Sequence, residues 1–332
     1  MASVFPPESN KITHIHRKFL RLAKQQKLSL ERKKNSKTNW KKITFPPRVK
    51  LIEEPNETLA YFNQAYNYYK KGHNVDFDLS NIVQFSPESI AVLAASIASF
   101  QFTNRMGSRG NMPKNYILRK VFQDSGFFEH VNVLDKNFRA ISKTSAHLLH
   151  KVTNDKVVTG VAKDTCSYML PKINAQYIDD LEPLYVILIE AMQNTNNHAS
   201  GKTEIEYDWW LYRYLDKNKG IIHFTFLDIG VGVFKSLPVM NFIRKLSNTA
   251  NITSNLDLVD ELLSGKIKSR TKRKDRGKGI PQIYDQSKDN MFKEFYILSN
   301  DILIDTKKDT KIKLNEEFYG TLYYWTMEIK KQ

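Results

Sequence analysis

One cysteine stands in the whole chain, Cys166, so an internal disulfide is excluded and a reducing compartment is expected. It has no partners at zinc-ligand spacing, which leaves it a structural residue. No apolar run approaches the ~20 residues of a membrane-spanning helix, and the basic N-terminus lacks the apolar core of a signal peptide. Those absences predict a cytoplasmic protein with no transmembrane segment. Repeats and low-complexity tracts are missing as well. What is present is a chain of 332 residues, 41% hydrophobic and 12% aromatic, with room for about two domains.

The net charge of +16 is unevenly placed. Residues 1–50 carry fourteen Lys/Arg against two Glu, and the rest carry thirty-seven against thirty-three acids. Within the first segment, Ile12, Ile15, Phe19, Leu22 and Ala23 recur at helical spacing between basic residues, which predicts an amphipathic helix from Lys11 to about Lys34. Three roles suit it: docking on this protein or a second copy, binding nucleic-acid phosphates through residues 11–50, or lying on an anionic membrane. Lys33 to Lys50 reads as a linker, with Pro46-Pro47 among its breakers. A second basic cluster runs from Lys266 to Lys278, with eight Lys/Arg and one acid, Asp275.

Residues 51–140 read as a small α/β unit, with a helix from Glu57 to Lys71, a strand from Val75 to Leu79 and a helix starting at Ser86-Pro87-Glu88. Ser86 suits an N-cap and Pro87 the first helical position. Residues 141–177 read as a connector, in which Ile141–Val152 suits either a strand pair or a short helix.

The most informative stretch is Ile189 to Ala199. Glu190, Asn194 and His198 are spaced four apart and share one helix face. An Asn oxygen can ligate Mg²⁺, and a carboxylate one turn earlier can orient or deprotonate a water or hydroxyl. Further on, Asp228-Ile229-Gly230-Val231-Gly232 follows the apolar strand Ile221–Leu227, and Arg276-Gly277-Lys278-Gly279-Ile280 opens a helix to Asp289. Singly, each fits a surface helix, a tight turn or a solvated basic loop.

In this order, E-x-x-x-N, D-x-G-x-G and G-x-G-I resemble the nucleotide-binding boxes of the GHKL ATPase superfamily, over roughly residues 178–332. The resemblance implies an α+β chain: a two-layer α/β sandwich of the GHKL (Bergerat) type, preceded by the small α/β unit and the basic helix. It implies ATP and Mg²⁺ as ligands. Glu190 would be the base or water-orienting group, Asn194 the Mg²⁺ ligand, and His198 a residue near the phosphates. Asp228 would accept the adenine amino group, with Gly230 and Gly232 leaving room for base and ribose. Residues 233–276 would form the ATP lid, and Arg276, Gly277, Lys278 and Gly279 would meet phosphate at a helix start. Gly320-Thr321 resembles the site where a Thr closes the phosphate end, and strands Glu294–Leu298 and Thr321–Ile329 would complete the sheet. Through Val75–Ile82 and the helix after Phe85-Ser86, the unit at residues 51–140 more faintly resembles a STAS domain, with Ser86 at the phosphorylatable position but without its usual Ser-Ser-Gly or Ser-Gly context.

Two function classes follow. One is an enzyme that hydrolyses ATP or passes its γ-phosphoryl to a protein Ser or Thr, as anti-sigma-factor kinases do. The other is a nucleotide-controlled binding module whose lid governs a homodimer, a protein partner or nucleic acid. Histidine autophosphorylation is disfavoured, because His147 and His150 are followed by Leu148 and Lys151 instead of an acid.

Overall fold

The computed structural model describes residues 40–99, 103, 106–131, 148–152, 157–199, 208–237, 254–267 and 279–330. The predicted helix at 11–34 lies outside them, as does His147. The chain is mixed α and β, in agreement with the predicted α+β class, and is built on two main sheets.

The N-terminal unit comprises β1 (Trp40–Thr44), β2 (Arg48–Val49), α1 (Pro55–Lys70), β3 (Asn74–Asp78), β4 (Gln84–Phe85), α2 (Pro87–Ala98), β5 (Ser108–Gly110), α3 (Tyr116–Asp124) and α4 (Phe127–His130). β1, β3 and β5 pair in parallel in that order, and β2 pairs in parallel with β4. Parallel neighbours need crossovers, which α1 and α2 supply. The predicted linker is corrected here: it contains the two strands Trp40–Thr44 and Arg48–Val49. Ile43 and Phe45 are fully buried, but two lysines on a five-residue strand hide that pattern in the sequence. Ser86 does precede α2, yet its hydroxyl donates to the Glu88 carboxylate instead of capping the backbone. Burial raises the pKa of Glu88, which also accepts the Ile52 N–H at 3.4 Å.

The second sheet has five strands in the order β6 (Leu148–Val152), β7 (Asp208–Asp216), β8 (Ile221–Asp228), β10 (Thr310–Glu328) and β9 (Glu294–Asp305), each antiparallel to its neighbours. Of Ile141–Val152, only Leu148–Val152 lies within the described residues, and it is strand, β6 of this sheet. One face is covered by α5 (Thr159–Met169), α6 (Glu182–Ala199), α8 (Val259–Leu263) and α9 (Gly279–Gln286). Alternate residues point to the two faces. Trp209, Phe224, Phe226, Tyr323 and Trp325 join the helical side, whereas Trp210, Tyr212, Leu227, Leu322 and Tyr324 join the N-terminal unit's core. Adjacent Trp209 and Trp210 are therefore both buried: a sheet covered on both faces loses the polar-out alternation. α2 packs against β7 and β8 as well as its own unit, and Ile90 to Ala95 are buried all round.

β9 and β10 are much longer than the predicted strands. They form one hairpin around Thr306–Asp309, where the Asp305 carboxylate accepts the Lys307 and Lys308 N–H groups at 3.1 and 3.0 Å. Its charged and polar residues, such as Lys313, Asn315, Glu316 and Glu317, interrupt the apolar alternation by which a strand is recognised.

Candidate nucleotide site

α6 buries Leu184, Ile187, Leu188, Ala191, Met192 and Thr195 against the sheet, spaced three and four apart. Glu190 and Asn194 flank that stripe and are half-buried. Burial raises the pKa of Glu190, which suits a proton acceptor working nearer neutrality. Asn194 donates through Nδ2 to the Tyr323 hydroxyl at 3.3 Å. Its Oδ1 faces the first residue of α9: a Cβ added to Gly279 would lie 2.4 Å from it. A larger residue there would have to displace the Asn194 amide or the start of α9.

Asp228, the last residue of β8, is 6% exposed. Its carboxylate accepts the Thr195 hydroxyl at 3.4 Å and the Thr321 N–H. Burial nevertheless dominates and pushes its pKa up to about 7, with the neighbouring Asp208 adding to the rise. Thr321 pairs directly with Asp228 across the sheet and is itself buried. It therefore stands at the Asp228 end of the site, the end that the resemblance gives to the base, whereas the phosphate end was predicted for it.

The D-x-G-x-G turn is held from β9. Gly232 has φ +76 and precedes α7 (Val233–Ser236). Gly320, at φ +133, lies against the Asp228 carbonyl, which a Cβ would reach at 2.0 Å. Ser299 accepts the Val233 N–H at 2.8 Å and donates to the Gly320 carbonyl at 2.9 Å. Asn300 donates to the Val231 carbonyl at 2.9 Å and accepts the Phe234 N–H at 3.0 Å. It does so from the left-handed region, φ +53, which Asn tolerates better than most residues.

So Glu190, Asn194, Asp228, Gly230, Gly232, Gly279 and Thr321, drawn from four parts of the chain, gather at the upper end of one sheet and its helical layer. Arg276, Gly277 and Lys278 lie outside the described residues, as do Arg270, Lys272 and Arg273 and the side chain of His198. The lid expectation is corrected in part. Within 233–276, Leu258, Val259, Leu262 and Leu263 are buried in the helical layer, because α8 carries its leucines at helical spacing. Thr195, Ser299, Asn300 and Tyr323 were not foreseen. The polar triplet Ser299-Asn300-Asp301 inside the otherwise apolar run Phe295–Ile304 was the one available signal.

No protein-family model matches the chain, and no curated protein matches its sequence.

Proposed function

We propose that this chain binds ATP with Mg²⁺ in a GHKL-type site and turns it over, by hydrolysis or by transfer of the γ-phosphoryl to a protein Ser or Thr. The observation that carries the reading is the packing of Asn194 against Gly279. It joins the E-x-x-x-N helix to the second glycine box, while Thr195, the next residue, reaches Asp228 at the end of the first. In this reading Asp228 accepts the adenine amino group, where guanine would present a carbonyl. The raised pKa of Glu190 suits it to hold a water or hydroxyl proton.

The donor set fits Mg²⁺ on chemistry. Asn194 Oδ1 would be the hard oxygen donor to the ion, with the Glu190 carboxylate one helical turn earlier free to orient a water. Among the described residues no three His, Cys, Asp or Glu side chains come together for a metal, so such an ion would rely on nucleotide phosphates and water. Bound, it would neutralise phosphate charge.

A nucleotide-controlled binding module is the second reading. It is favoured by the hydrogen bonds that link the glycine turn to the hairpin on which the N-terminal unit sits. Incubation with γ-labelled ATP, with and without cell lysate, tests both. Free phosphate supports an ATPase, labelled protein a kinase, and bound but intact ATP the module. No retained or converted ATP would defeat both.

A further inference from the structure

The segment Leu314–Gly320 of β10 leaves regular register with β9, with shifts between Lys313 and Phe318 and again between Phe318 and Thr321. Two neighbouring acids in it point to different partners. Glu317 accepts from Asn300 Nδ2 at 3.0 Å and pairs with Lys235 Nζ at 2.5 Å. Both partners engage the glycine turn or the helix that follows it: Asn300, on β9, donates to the Val231 carbonyl, and Lys235 lies on α7, which starts directly after Gly232. Glu316 instead accepts from Asn63 Nδ2 on α1 at 2.7 Å. The N–H groups of Asn315 and Glu316 donate to Asn56 Oδ1, also on α1, at 2.8 and 3.2 Å. Tyr319 stacks on Tyr66 of α1 with ring centroids 4.0 Å apart.

One short, irregular piece of strand therefore holds the glycine turn with one set of groups and the N-terminal unit with the other. Gly320 ends the piece close against the Asp228 carbonyl and the Gly230 N–H, where an added Cβ would lie 2.0 and 3.1 Å away. Irregular register makes the piece the part of the hairpin least constrained by cross-strand hydrogen bonds. We propose that nucleotide occupancy of the Asp228–Gly232 turn and the seating of α1 on Leu314–Gly320 are one coupled equilibrium. The N-terminal unit is then both regulator and readout of the site. The proposal rests on the nucleotide reading above.

Coupling between two sites is reciprocal. In the full chain, Tyr66→Ala on α1 should weaken Mg-ATP binding by roughly fivefold or more. Tyr66→Phe, which keeps the ring, should restore it. Conversely, Mg-ATP should slow amide hydrogen exchange across residues 55–70 of the wild-type chain by a comparable factor. Glu317→Ala should still bind ATP while losing that protection. Asn63→Ala, on the same side of α1, replaces Tyr66→Ala if circular dichroism shows the latter unfolded. Unchanged ATP affinity in the α1 variants, with unchanged exchange in residues 55–70, overturns the coupling and leaves ATP binding intact. No ATP binding by the wild type overturns the nucleotide reading and the coupling with it.

Discussion

Asn194 and Gly279 are far apart in the chain, yet a Cβ on the glycine would sit 2.4 Å from the asparagine Oδ1. No Cβ is accommodated at that distance, so Gly279→Ala must displace either the Asn194 amide or the start of α9. Overpacking of this kind costs about 1–3 kcal/mol. Gly160→Ala is the control, since nothing lies within 4 Å of its added Cβ and it sits in the first turn of α5. Thermal unfolding should show a lower melting temperature for Gly279→Ala and an equal or higher one for Gly160→Ala. Equal melting and equal ligand binding in all three proteins would remove Asn194–Gly279 from the site.

Asp228 predicts a pH dependence. Its pKa rises from the ordinary 3.8 to about 7, chiefly through burial, so the folded chain holds this proton more tightly than the unfolded one. The stability it contributes is fully present below pH 3.8 and is lost as pH rises through about 7. The displacement corresponds to at most roughly 4 kcal/mol. Denaturant unfolding between pH 5 and 8 should show the wild type losing stability relative to Asp228→Asn, which has no such proton. Parallel curves for the two would contradict the assignment.

Glu190 separates binding from turnover. Glu190→Gln keeps size and polarity but cannot take a proton. ATP affinity should stay within a few-fold while phosphate release falls on the order of 10²-fold or more. Titration calorimetry beside a phosphate-release assay reads both quantities. Undiminished release by the variant would exclude Glu190 as the base.

The boundary of the N-terminal unit is testable by truncation. Cutting back from residue 39 to residue 50 removes β1 and with it buried Ile43, Phe45 and Val49. Deleting buried residues of this size costs several kcal/mol, by analogy with large-to-small core changes of about 2–5 kcal/mol each. That step should lower the melting temperature sharply. Salt-dependent binding of residues 11–50 to DNA or RNA is best assayed with the shorter truncation, which spares the strand.

The candidate site residues were legible in the sequence because they come as short spaced motifs. Glu190, Asn194, Asp228 and Gly279 each announce themselves locally, and the topology then gathers them. Side chains that hold the motifs carry no such local mark. Asn300 and Ser299 act across the sheet on a turn that is distant in sequence, and Tyr323 is one aromatic in an aromatic strand. β1 and the long hairpin were hidden for a different reason. Their exposed positions carry charge, so apolar alternation fails over windows of five residues. α8 was hidden inside the stretch 233–276 that the resemblance gives to a lid, although Leu258, Val259, Leu262 and Leu263 do follow helical spacing.

Isothermal titration with ATP and GTP, with and without Mg²⁺, tests the central claim most directly. The wild-type chain should bind Mg-ATP and discriminate against GTP. Asn194→Ala should remove the Mg²⁺-dependent part, and Asp228→Asn should cost about 1.5–3 kcal/mol through the altered buried hydrogen bond. No ATP binding, or equal affinity for GTP, would contradict the account.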